Sequence, residues 1–349
     1  MYLTGIATAL PSRCYRQEDL WHVYEHSALR DRLRPRSTEL LGKILLGDNG
    51  IETRYLAAER VGEIFDLDAQ ALNRTFEAAA PPLAEQALRP ALENAGVPPG
   101  ELDALYVCTC TGYLCPGLTS YLSERLGLRA DAYLQDLVGL GCGAAIPTLR
   151  SAAHHVAAHP EAKVAVVAVE ICSAAFYLDD DPGVIISACL FGDGAAATIW
   201  TGTPPAAGPS WRCGAFDTVV IPEKRDILRF ENREGKLRNL LHRSVPREAG
   251  NAVRQLFERD QARGHARPDA LILHAGGRDV LDAIEQTVPG YTSPWSREVL
   301  RQCGNMSSPS VLFALERFLT DKKAKDAQRL WLSSFGAGFS AHSCALERE

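Results

Sequence analysis

No apolar run in this chain approaches the roughly 18 residues needed to cross a bilayer, and Met1–Pro11 carries neither a basic stretch nor a long apolar one, so no secretory leader is expected. Positive charge is not in excess either. The 37 Lys and Arg residues against 43 Asp and Glu give a formal net charge of -6, which offers a nucleic acid no bulk attraction. A second cysteine pair at zinc-finger spacing is also lacking. Cys108 and Cys110 enclose a single residue, Cys115 stands apart near a glycine, and no second pair answers them. Most of the ten cysteines, such as Cys172, Cys189, Cys213 and Cys344, read as small buried hydrophobes of a reducing compartment. The expectation is a cytoplasmic protein without a structural metal.

What is present is enough for a large core: 349 residues, 46% hydrophobic and 23% charged. Strand and helix patterns alternate. An Ala-rich helical spacing covers 76–95, with Pro81 and Pro90 as expected interruptions, and a buried strand follows at 102–109. A helix over 117–126, a strand over 132–137 and an apolar helix over 144–158 come next. The continuous apolar run 163–170 has the pattern of a strand covered on both faces. The pattern restarts near Trp211, with a helix around 248–259, strands at 270–274 and 329–334, and helices after Asp279 and Pro309. Charge-rich 223–243 reads as a solvated region.

Three distant segments each present one polar residue among small neighbours: Gly139-Leu-Gly-Cys142-Gly143, Leu273-His274-Ala-Gly-Gly277 and Cys303-Gly-Asn305-Met-Ser-Ser308. Cys, His and Asn together suit acyl transfer through a thioester. Cys142 stands where a helix should begin, and free helix N–H groups favour a thiolate there, lowering a thiol pKa that begins near ~8.5. Pro147 implies that the helix starts a residue or two late or is kinked. His274 can accept the thiol proton and hold an ion pair, or aim a protonated nitrogen at a carbonyl oxygen. Asn305 donates a hydrogen bond without competing for the proton, and a His–Asn donor pair suits an enolate such as malonyl thioester leaves on losing carbon dioxide.

With these segments, Cys108-Thr-Cys-Thr-Gly-Tyr-Leu-Cys-Pro-Gly117 and Leu190-Phe-Gly-Asp-Gly-Ala-Ala-Ala197 complete a pattern that resembles the chalcone and stilbene synthase family, the type III polyketide synthases of the thiolase-like superfamily. The resemblance spans essentially the whole chain. It implies an α/β fold of duplicated α-β-α-β-α layers, with an N-terminal half, 1–205, carrying the cysteine and a C-terminal half, 206–349, carrying the histidine and asparagine. It further implies a homodimer with two buried sites, in which Cys142 carries the starter and growing chain while His274 and Asn305 promote malonyl-CoA decarboxylation. Phe191 resembles the aromatic gatekeeper between coenzyme A tunnel and reaction cavity.

The departures from the family pattern gather around the cavity. Asn239 falls near the family's second gatekeeper phenylalanine, which makes a plant-like aromatic starter less expected. Cys110, Ala175 and Ser307 match cavity-lining positions, and Cys115 matches the residue that reaches into the partner subunit's cavity. Small residues at Ala175 and Cys115 should open space for a longer starter or chain. The basic cluster that precedes an Arg-Tyr pair in plant members is reduced to Lys43 and Arg54, so some acyl groups are expected on an acyl carrier protein. Gly336 and Gly338 flank an alanine where the family often has proline.

The resulting expectation is iterative decarboxylative condensation of malonyl-CoA onto an acyl-CoA starter, ending in a pyrone or resorcinol-type product, with no cofactor beyond the coenzyme A thioesters. Fatty or other non-aromatic starters are favoured over coumaroyl. The alternative is a single-round β-ketoacyl synthase, which shares the same three residues.

Overall fold

The computed structural model describes residues 1–58, 61–206 and 208–349. In chain order the N-terminal half holds β1 (Tyr2–Ala9), β2 (Cys14–Arg16), α1 (Gln17–Glu25), α2 (Pro35–Leu45), β3 (Thr53–Tyr55), α3 (Ala69–Ala95), β4 (Ala104–Thr109), α4 (Leu118–Leu126), β5 (Tyr133–Val138), α5 (Ala145–Ala158), β6 (Val164–Glu170), α6 (Pro182–Leu190) and β7 (Gly194–Thr201). The C-terminal half holds β8 (Trp211–Val220), β9 (Leu228–Arg233), β10 (Lys236–Leu241), α7 (Val245–Ala262), β11 (Ala270–Leu273), α8 (Arg278–Thr287), α9 (Pro294–Cys303), α10 (Ser310–Thr320), β12 (Arg329–Gly336) and β13 (Ser340–Arg348).

Among the described residues one mixed sheet runs in the order β11-β12-β13-β8-β1-β7-β6-β4-β5. Reading outward from the β1·β8 junction, each half places its first strand, then its last, then its penultimate strand, so the topology is duplicated. The junction itself is short, pairing only Tyr2 with Arg212 and Leu3 with Trp211. Helices α5 and α10 each pack on strands of both halves, α3 covers β1, β7 and β6 from outside, and α7 covers β8 and β13. The layers are therefore α-β-α-β-α, and the largest apolar cluster joins the two halves. The connection around 202–210 separates the halves in sequence but not in their core.

The apolar run ending in Glu170 forms the interior strand β6, buried at every position. The expected interruption of the 76–95 helix does not occur. Helix α3 continues through Pro81, Pro82 and Pro90, from an Asp68 cap on the Ala71 N–H to Gly96. Its buried Ala and Leu face against the sheet outweighs the lost backbone donors. The charged 223–243 segment is likewise not a simple solvated face. Most of it folds into the β9–β10 hairpin, where Arg238 is buried on Asp179 and Glu231 at 2.8 and 3.0 Å.

Candidate active site

Strand-to-helix junctions from both halves meet beneath the β12–β13 turn. Cys142 lies in the single 3-10 turn Gly141–Gly143, and the regular helix α5 begins after it, with Pro147 in its first turn where no N–H is needed. Gly336, at the end of β12, lies against that turn. A Cβ built there would stand 2.6 Å from the Gly143 nitrogen and 3.0 Å from the Cys142 nitrogen, so only glycine lets the two halves close. Gly338, two residues on, lines a solvent-open groove of about 1600 Å³ rather than the cysteine's own cavity.

Ser307 is the meeting point of the three segments. Its Oγ is 3.2 Å from Cys142 Sγ, 3.2 Å from Cys110 Sγ and 3.4 Å from Glu170 Oε1. Its backbone N–H donates to Asn305 Oδ1 at 2.8 Å, and its backbone also lies within hydrogen-bonding reach of the His274 ring. Asn305 Nδ2 donates at 3.1 Å to the Gly276 carbonyl, which ties the asparagine turn to the histidine turn. Asn305 is further fixed by a backbone bridge to Phe191.

The electrostatics depart from the sequence expectation. Burial pushes the Cys142 thiol up to about 12, against a pull down from the Ser307 hydroxyl, and the nearby Glu170 charge adds to the rise. The expected lowering at a helix start fails because the cysteine is enclosed and precedes the regular helix. Burial also takes His274 down to about 3, and its Nδ1 is buried without a hydrogen-bond partner. Both shifts favour the neutral form of each group over the expected thiolate–imidazolium pair.

Cys142 opens onto a mostly apolar cavity of about 610 Å³. Cys110, Ala175, Phe191, Asn239 and Ser307 all line it, as expected from the sequence. Asn239 Nδ2 donates to Ser187 Oγ on α6 at 2.8 Å, so its amide is anchored in the wall. Cys115 does not line this cavity. It is exposed on the surface of the chain.

The two expected coenzyme A contacts separate. Lys43 is exposed on α2, whereas Arg54 is buried and faces inward. Its guanidinium donates to Gln17 Oε1 at 2.9 Å and to the carbonyls of Ala188 and Phe191 at 2.7 and 2.8 Å. Arg54 therefore positions the Phe191 end of α6 and presents no charge to a phosphate at the surface.

Sequence reasoning passed over Glu170. Its carboxylate accepts from Ser308 Oγ (2.5 Å), Thr111 Oγ1 (2.8 Å), Cys110 N (2.9 Å), Thr109 Oγ1 and Thr111 N (both 3.1 Å). Burial raises its pKa while these donors oppose the rise. The available signal was an acid closing an otherwise apolar strand.

Comparison with known proteins adds the family. Residues 1–205 match the model described as chalcone and stilbene synthases, N-terminal domain, and residues 265–348 match that of 3-oxoacyl-[acyl-carrier-protein] synthase III, C terminal. The chain belongs to the chalcone and stilbene synthase family. It is 30% identical to a 1,3,6,8-tetrahydroxynaphthalene synthase of Streptomyces peucetius subsp. caesius, over 99% of this chain and 92% of that protein. It is 28% identical to a 3,5-dihydroxyphenylacetyl-CoA synthase of Streptomyces toyocaensis, over 99% and 89%. Among solved structures, PKS-I from the brown alga Ectocarpus siliculosus superimposes with a TM-score of 0.90 at 22% identity, covering 99% of this chain and 98% of that one. The Streptomyces coelicolor tetrahydroxynaphthalene synthase gives 0.86 at 24%, over 100% and 99%. As a type III polyketide synthase, the chain is an acyltransferase of the condensing type, with a thiolase-like fold.

Proposed function

We propose that this enzyme loads an acyl group from acyl-CoA onto Cys142 and extends it with several malonyl-CoA units before releasing a cyclic phenolic or pyrone product. The observation that carries this reading is the convergence of Cys142, His274 and Asn305 on Ser307 at the wall of a mostly apolar cavity. In loading, the Cys142 sulfur attacks the thioester carbonyl, coenzyme A leaves as its thiol, and the cysteine proton passes to the leaving sulfur by way of a site base. Buried neutral His274 supplies that base at its unpartnered nitrogen, because the positive charge it gains is stabilised by the thiolate it creates.

Malonyl-CoA then loses carbon dioxide. Asn305 has one amide hydrogen on Gly276 and a second to offer the thioester oxygen as the enolate develops. The enolate carbon attacks the Cys142 thioester, expelling the sulfur, and the lengthened chain returns to Cys142 for the next round. A resorcinol-type ring is favoured over a pyrone because the relatives' names describe dihydroxyphenyl and tetrahydroxynaphthalene products.

A second reading, one round of condensation as in a 3-oxoacyl carrier-protein synthase, draws support from the match over residues 265–348. The exposed Lys43 and inward Arg54 leave these positions without a phosphate clamp, which keeps an acyl carrier protein open as starter donor.

The working unit of this reading is a cytoplasmic homodimer. Strand β5 is a sheet edge that exposes Tyr133, Leu134 and Val138, with Tyr113 beside it, a liability that a second copy would cover. The groove there shares Cys110, Thr111, Gly141 and Ala337 with the cavity, so the partner would close the site and the exposed Cys115 segment would lie at that contact.

Intact-protein mass spectrometry tests the assignment. Wild-type protein should gain one acyl mass from acyl-CoA, and Cys142→Ala should gain none while keeping its fold. Equal acylation of the variant would remove Cys142 from the reaction.

A further inference from the structure

The mostly apolar wall of the reaction cavity is charged at one place. Among the described residues that line it, only Arg229, on β9, carries a full charge. Arg229 also lines the solvent-open groove that adjoins the cavity, together with Arg225 and Lys236, and no carboxylate is among the described residues lining either space. Three cations without an acid run against the net charge of -6 of the whole chain.

The same hairpin shows how an arginine is satisfied when its role is structural. Arg238, on β10, has Asp179, Asp181 and Glu231 each within 3.4 Å. Arg229 has a single acid near it, the exposed Asp226, whose Oδ1 stands 3.1 Å from Nε. That approach makes no hydrogen bond, and Nε is buried without an acceptor. The side chain as a whole is still 39% exposed, so an incoming group can reach it. The edge of a guanidinium, Nε with one terminal nitrogen, offers two parallel N–H groups that fit a carboxylate. A plain alkyl chain laid against that edge would leave the buried donor unsatisfied.

The carboxylate of malonyl-CoA is a poor occupant. A cation held on it would stabilise the ground state and oppose loss of carbon dioxide. The edge suits an anion that the acyl chain keeps. We propose that Arg229 recognises a carboxylate at the distal end of the starter, so that the preferred starter is the mono-thioester of a dicarboxylic acid longer than malonic. Its thioester carbon would sit on Cys142 and its free carboxylate on the guanidinium edge. Arg225 and Lys236 raise the local concentration of such anions in the adjoining groove. The inference rests on the acyl-loading reading above and extends it to the substrate class.

The test uses the full-length enzyme and two classes of acyl donor, succinyl-, glutaryl- and adipyl-CoA against pentanoyl- and hexanoyl-CoA. Loading efficiency on Cys142 is read by quenched intact mass. Wild-type enzyme should load its best diacid at least tenfold more efficiently than the better neutral donor, a comparison that depends on no variant. Arg229→Gln should lower that ratio at least tenfold. Arg229→Lys should restore part of it, because it keeps the charge and loses the two-pronged edge. Equal or better loading of the neutral donors by wild type overturns the inference. So does an unchanged ratio in Arg229→Gln, including an equal loss for both classes, the result expected if Arg229 pairs with an acid of a second copy of the chain. If neutral donors load and are extended in those cases, only the carboxylate site is lost and the function stands. If no acyl-CoA acylates Cys142, both fall together.

Discussion

Ser307 Oγ lies 3.2 Å from Cys142 Sγ and 3.4 Å from Glu170 Oε1, so one hydroxyl stands between the sulfur and a buried carboxyl group. The residue sits at φ +60 yet is not glycine. That backbone conformation is disfavoured for side chains, and holding it brings the Ser307 N–H onto Asn305 and its hydroxyl onto the cysteine at once.

Ser307→Ala removes the hydroxyl and keeps the backbone contacts. Starter loading on Cys142 should slow about tenfold, the equivalent of one hydrogen bond near ~1.4 kcal/mol, with melting temperature little changed. Stopped-flow or quenched acylation measures it. Unchanged loading would mean the hydroxyl only fills space.

Asn305→Ala should separate the two half-reactions. Malonyl-CoA decarboxylation should fall about 10²- to 10³-fold, the usual loss for one donor to a developing oxyanion, while loading of an activated starter changes by less than about threefold. Release of labelled carbon dioxide reads the first and intact mass the second. Equal losses would reassign the asparagine to positioning the cysteine.

Gly336→Ala places a methyl against the Gly143 and Cys142 nitrogens. The turn must shift, with a stability loss of about 1–3 kcal/mol for overpacking and a larger proportional loss of activity. Denaturant melts and loading rates on the same preparation compare the two. An active, fully stable variant would show that the turn has slack.

Asp260 and Arg329 form a buried two-bond pair, 2.9 and 2.7 Å, that ties α7 to the start of β12. Burial pushes the Asp260 carboxyl up, but Arg329 and His265 outweigh it and hold its pKa below the ordinary value. Asp260→Asn removes the two-bond partner and leaves the buried guanidinium only the longer, 3.4 Å contact with Glu347, which should cost about 3 kcal/mol. The folded pKa is depressed, so the difference between wild type and variant should be full above ~pH 4 and shrink as the pH falls through the depressed value. Urea melts at pH 7 and pH 3.5 check the size and the sign. A gap that widens in acid would contradict the pairing.

Much of the site was legible because its polar residues stand alone among glycines. Cys142, His274 and Asn305 each end a strand or open a turn, and the structure brings all three to Ser307. The strands β4, β6 and β11 were legible from continuous apolar runs, which are buried throughout. Local rules failed where tertiary contact decides. Packing on the sheet carries α3 through its prolines, and the β9–β10 hairpin buries Arg238 on acids whose nearness no spacing in the sequence announces. Arg54 misled for the same reason: the family resemblance offered it as a coenzyme A contact, and only the carbonyls of α6 around it show that it faces inward. Glu170 was hidden because its partners come from two segments far from it in sequence, 109–111 and 307–308.

The most direct test of the account is the mass of the product formed from [2-¹³C]malonyl-CoA and a panel of acyl-CoA starters, since each condensed unit adds one labelled carbon. Cyclic products carrying two or more labels, absent with Cys142→Ala, are the predicted result. A β-ketoacyl thioester with a single label as the end product would contradict iteration and move the enzyme to single-round condensation.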